Sequence, residues 1–168
     1  MFAIDDLELS NVATAHHVTR LVSDAVRRAL GATPTHQQFA RVRERCSFHL
    51  LCPMLEAYFF GEPAALQRAG AKRAATLEPT HHLENFLASD PDFMARDEIR
   101  EHPWRRPDRA RHPKRYLSFL VDPHDTERAT YKESRDGVRA LSTLDWAQVF
   151  ATATRGNAAQ HPVTLLAR

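Results

Sequence analysis

Val18, Leu21, Val22, Ala25 and Ala29 return at three- and four-residue intervals, while Arg20, Asp24, Arg27 and Arg28 fall mainly on the other side. That period predicts an amphipathic helix, with Ser10 or Asn11 available as its cap and Gly31 as its end. Ahead of it, a short apolar run at 2–4 leads into Asp5, Asp6 and Glu8, the pattern of a strand delivering acids to the edge of a sheet. After the break ATPT at 32–35, a second helix is expected from His36 to about Glu44. SFHLLC at 47–52 is apolar and stopped by Pro53, which predicts a buried strand. PMLEAYFF from Pro53 predicts a helical start, since proline is favoured in a first turn, and Gly61 ends it. EPAALQRAG then gives a further helical segment.

From 71 to 112 the periodicity weakens. Pro79, Pro91, Pro103 and Pro107 interrupt short apolar pieces such as LENFL, so short helices and long loops are expected, as an insertion over the sheet edge. PKRYLSFLV predicts a helix and DGVRALSTLDWAQVFATA a longer one, its apolar face read through Val138, Leu141, Leu144 or Asp145, Gln148 and Val149. Strands alternating with helices make this an α/β chain. One domain spans 1–168: a sheet-forming α/β part at 1–70, a loop-rich insertion at 71–112 and a helical part at 113–155.

Composition narrows the class without naming an activity. The 168 residues suffice for one domain with a real core, and no apolar run reaches the length of a membrane span. The first residues lack the pattern of a signal peptide, so a cytoplasmic location is expected. Cys46 and Cys52 form no CxxC pair and read as reduced, mostly buried thiols. There is no GxxxxGK[ST], GxGxxG or GxSxG segment to cradle a nucleotide or present a nucleophile. His16-His17 and His81-His82 have no zinc spacing, and His124-Asp125 stands without the upstream histidine of a metal phosphohydrolase.

Three groups of residues carry candidate chemistry. Asp5, Asp6 and Glu8 offer hard oxygen ligands of the kind magnesium takes, and Asp6 and Glu8 would share one face of an extended chain. Their alternative is a solvated turn with acids beside a helix N-terminus. Glu56 is the only charge in MLEAYFF and is expected to be buried, with a cation, a donor or a metal to offset its desolvation. A solvent gap or a structural ion pair would serve as well. The formal charge is only +2, but the basic residues Arg105, Arg106, Arg109, Arg111, Lys114 and Arg115 cluster around Trp104 and Tyr116. Interleaved arginines and aromatics can contact phosphates and stack on bases, although such runs are more often solvated loops. Lys132 is a further single cation able to neutralise a phosphate.

Four segments together, AIDDLE near the start, FHLLCPMLEAYFFGEPAAL at 48–66, HPKRYL at 112–117 and YKESRDGVRAL at 131–141, resemble a bacterial Toprim-like family of unknown function (domain of unknown function 4276). The family is often encoded beside AAA-type ATPases and is distantly similar to nuclease domains of anti-phage defence proteins. The resemblance implies a partial Toprim-like sheet flanked by helices. It also implies magnesium-dependent nuclease or other phosphodiester-processing activity, with Asp5, Asp6 and Glu8 as metal-binding acids, spelled DDLE rather than DxD. Glu56 would be a further catalytic acid, and Lys114 and Lys132 basic residues of the pattern. The family's first-strand glutamate has no counterpart before Met1, so the acids here are expected to be half of a site. Two functions stay open: a nuclease acting on nucleic acid, or a non-catalytic subunit that pairs with an AAA-type ATPase or with itself.

Overall fold

The computed structural model describes residues 2–7, 15–78, 82–95, 108–124 and 131–154. β1 (Phe2–Asp6) and β2 (Ser47–Leu51) pair in parallel, in a register that sets Phe2 opposite Ser47 and Asp6 opposite Leu51. The crossover between them carries two helices, α1 (Ala15–Leu30) and α2 (His36–Arg45). α1 ends where Gly31 turns to φ +98°, a conformation that costs glycine little. α2 starts on a capping box: the Thr35 hydroxyl accepts from the Gln38 N–H, and the Gln38 side chain accepts from the Thr35 N–H. These bounds agree with the periodicity of the chain, and the mixed α/β character agrees with the alternation of its elements. Residues 8–14, with both expected cap residues, lie outside the described residues.

β2 was expected to be buried, yet all five of its residues are half-exposed, and neither α1 nor α2 buries a residue. The core instead gathers in the part of the chain that follows β2. α3 (Glu56–Phe59), α4 (Pro63–Arg68), α5 (Pro91–Ala95), α6 (Pro113–Val121), α7 (Val138–Ser142) and α8 (Trp146–Thr154) surround it. Tyr116 is completely buried at its centre, 5.6 Å from the Phe60 ring, 4.9 Å from Phe93 and 6.2 Å from Phe119. Leu83, Phe86, Ala88 and Phe93 complete this cluster. The described part of 71–112 therefore belongs to the main core rather than lying over a sheet edge, because its apolar residues reach the α6 aromatics. Gly61 lets this packing close: a Cβ there would sit 2.8 Å from Leu83 Cδ1 and 3.0 Å from the Val149 Cα.

Two helix expectations are corrected. The helix expected from Pro53 begins at Glu56, because the chain leaving β2 is held by Asp6, whose Oδ1 accepts the Leu55 N–H at 2.9 Å. The long C-terminal helix is two helices, preceded by a π-turn at Glu133–Gly137. Asp145 causes the break: its Oδ1 caps α8 by accepting the Gln148 N–H, while its own N–H donates to buried Glu62 at 2.8 Å. Glu62 also binds Arg68 at 2.9 Å, so its removal would take the acceptor from two part-buried donors, the Asp145 N–H and the Arg68 guanidinium. The break resets the helical phase, burying Ala140, Leu144 and Val149 and leaving Val138 58% exposed.

The α6 start is a titratable joint. His112 caps the helix, its Nδ1 accepting the Arg115 N–H, and burial with neighbouring Arg115 and Lys114 pushes its pKa down to about 4. The unfolded chain binds this proton near pH 6.5 and the native chain near pH 4, so acid favours the unfolded state across that window. The His112 contribution is complete above pH 6.5 and falls by up to about 3 kcal/mol as pH drops to 4. Denaturant midpoints against pH are expected to lose this dependence in His112→Asn, which can cap without titrating.

Candidate functional site

The second and third elements of the predicted site do meet. The N-terminal turn of α6, the residues before α3 and the π-turn enclose an open groove of about 570 Å³, lined by Leu55, Lys114, Tyr131, Lys132, Glu133 and Leu141 among others. Lys114 sits there because Pro113 opens α6, and Lys132 because it is the residue from which the π-turn springs. The turn is locked by Asp136, whose Oδ2 accepts the Lys132 N–H at 2.9 Å and whose Oδ1 takes the Arg135 guanidinium at 2.8 Å. The Arg135 guanidinium holds the Asp136 carboxyl below the usual carboxylate range. Lys114 forms an ion pair with Glu133 across the groove. Both partners are substantially exposed, so this pair contributes little to stability and leaves the ammonium accessible.

Glu56 lies beneath the groove, 1% exposed. Tyr131 donates its hydroxyl proton to Glu56 Oε1 at 3.1 Å. Burial raises the Glu56 carboxyl above its ordinary pKa, more than the hydrogen bonds and Lys114 lower it, and nearby Glu133 raises it further. Tyr131 is likewise raised, by its own burial first and by Glu56 second. A donor therefore partly offsets the desolvation that the sequence required of Glu56. Asp6 ties the end of β1 to the same place, since Leu55, whose N–H it accepts, is a wall of the groove.

Because the folded pKa of Glu56 is raised, its contribution is complete below the unfolded carboxylate pKa and is lost as pH rises through the folded value. Glu56→Gln keeps an acceptor for Tyr131 and removes the charge. Its stability is expected to match or exceed that of the parent at pH 7, with a flatter pH profile by thermal melts. Glu56→Ala should cost about 1–3 kcal/mol through the orphaned Tyr131 hydroxyl.

The acids of β1 are not brought together. Asp5 is exposed and accepts the Asp6 N–H through its own Oδ1, whereas Asp6 is half-buried. Successive residues of a strand face opposite ways, so the pleat separates the pair. Glu8 lies outside the described residues. Among the described residues no group of three His, Cys, Asp or Glu is placed to hold a metal ion. The described donors thus do not make up the magnesium site that the resemblance implies.

The basic cluster divides too. Arg109 is 9% exposed and stacks its guanidinium 5.0 Å over the Phe93 ring, a packing role. Arg111 is exposed, Arg115 half-buried, and Arg105 and Arg106 lie outside the described residues. Cys46 and Cys52 are free and half-buried, and burial together with Glu84 pushes the Cys52 thiol up to about 11. It is therefore protonated at neutral pH and a poor nucleophile. Sequence reasoning missed Tyr131 and Glu133; their signal was adjacency to Lys132, which periodicity cannot read. No helix among the described residues is long and apolar enough to cross a membrane. Compared with known proteins, the chain matches no family model, no curated protein and no solved structure.

Proposed function

We propose that the protein binds phosphodiesters of nucleic acid in the Lys114–Lys132 groove, as part of the phosphodiester-processing, nuclease-type activity that the resemblance implies. One observation carries this reading. Two lysines eighteen residues apart in sequence line one groove, above a buried carboxyl group held by Tyr131. Lysine ammonium groups are point charges suited to phosphate oxygens, and the open groove admits an extended strand. Glu56 and Tyr131 supply a fixed proton-bearing pair under the floor. Titration of a labelled single-stranded oligonucleotide, with and without magnesium, tests the reading. Binding that depends on Lys132 supports it, and magnesium-dependent cleavage that Glu56→Gln abolishes extends it to an enzyme. Binding insensitive to both lysines refutes it.

A second reading, an interaction subunit that pairs with an AAA-type ATPase or with a second copy, is favoured by the sheet. Among the described residues β1 and β2 have no other strand beside them, and β2 is half-exposed along its length. Parallel sheets ordinarily have both faces covered, and an edge strand offers main-chain donors and acceptors to a further strand. Light scattering across a concentration series, with amide exchange in β1 and β2, tests for self-pairing. A monomer whose β1 and β2 amides exchange equally at all concentrations removes the second copy as the partner.

A further inference from the structure

We infer that the α1–α2 arm is a docking surface for an acidic amphipathic helix of a partner protein. Neither helix buries a residue: of the α1 stripe Val18, Leu21, Val22, Ala25, Val26 and Ala29, the three valines are half-buried and Leu21, Ala25 and Ala29 are exposed. Leu21 is 63% exposed, more than any other large apolar side chain of the described residues. Helices in proteins draw most of their stability from packing such a face, and an apolar face left at the surface marks an interaction site.

Charge selects the occupant. Residues 15–45 hold six arginines, all exposed, against Asp24 and Glu44, a net of +4 where the whole chain carries +2. Arg20, Arg27 and Arg28 belong to α1, and Arg41, Arg43 and Arg45 to α2. Arg27 lies 5.9 Å over the Phe39 ring, linking the two helices, and Arg28 follows Leu21 by seven residues, on the same side of α1. A second copy of this face would bring like charges together, which opposes self-association through it. A lipid surface favours bulky Leu, Phe or Trp on the inserted side, but beyond Leu21 this stripe is valine and alanine. Nucleic acid would engage the arginines and leave the stripe uncovered. An acidic amphipathic helix satisfies both features, its apolar anchors covering the Leu21 side and its carboxylates meeting the arginines. Arm and groove share no residue, so the chemistry proposed for the groove is not involved. The second reading enters only in that the chain has a protein partner.

The test uses the whole chain and a fluorescent 18-residue amphipathic peptide with leucines on one face and glutamates on the other. Saturable binding is expected, weakened at least tenfold by Leu21→Asp or by the milder Leu21→Ser, and at least threefold by Arg20→Glu with Arg28→Glu. Lys132→Ala should leave it unchanged. Equal binding of a peptide with the same residues in scrambled order overturns the proposal. So does no binding at all, or an oligonucleotide or anionic vesicle that engages the arm with the same dependence on Leu21. Dimerisation abolished by Leu21→Asp, by light scattering, would assign the surface to a second copy and overturn it as well. If β1 and β2 amides respond to concentration while the peptide fails to bind, the second reading survives and this docking surface does not.

Discussion

Tyr116→Ala is expected to destabilise the protein by about 3–5 kcal/mol, a large fraction of the stability of an ordinary domain. The ring is fully buried among Phe60, Phe86, Phe93 and Phe119, so truncation leaves a cavity where four aromatic side chains lose a shared neighbour. Its hydroxyl does separate work. It donates to buried Asp90 at 3.0 Å and accepts the Thr76 N–H at 2.7 Å, joining both residues to α6. Burial pushes the phenol up to about 12, so it stays protonated and available to donate. Tyr116→Phe keeps the volume and removes only these bonds, and should cost about 1–3 kcal/mol. Urea midpoints for the two variants separate the terms. If Tyr116→Phe proved as damaging as Tyr116→Ala, the hydrogen bonds rather than the packing would hold the core. If both were neutral, the aromatic cluster would not be the centre of the fold.

Lys132→Ala is expected to weaken oligonucleotide binding more than Lys114→Ala does. Both lysines line the groove, but Lys114 is already paired with Glu133 and is half-neutralised before any phosphate arrives. Each lysine that neutralises a phosphate of a single strand contributes about 0.7 to the slope of log affinity against log salt. The double variant should therefore lose about 1.4 from that slope. Glu133→Gln should move the other way, strengthening binding by freeing Lys114. Fluorescence anisotropy from 50 to 200 mM salt reads all four proteins. An unchanged slope in the double variant would mean that phosphate does not enter this groove. Lys132 and Glu133 are exposed and Lys114 is half-exposed, so their replacement is not expected to disturb folding.

The chain by itself determined its local elements. The α1 period, the Thr35 cap, Pro63 and Pro113 at first helical turns and the apolar run of β2 are signals written within a few residues, and backbone sterics and capping act over that same range. Burial of Glu56 was legible for a related reason, since a lone charge in an apolar helix has nowhere polar to face on its own turn. Tertiary structure decided the rest, because the deciding partners are far apart in sequence. Asp145 breaks the last helix with the help of Glu62, and Asp6 delays α3 through Leu55. Tyr131 meets Glu56 across seventy-five residues, while one step of pleat separates Asp5 from Asp6. Helical period shows which residues of α1 are able to pack, whereas only the assembled fold shows that Leu21, Ala25 and Ala29 stay exposed. Which surfaces cover one another depends on the three-dimensional path of the chain, and periodicity carries no information about that path.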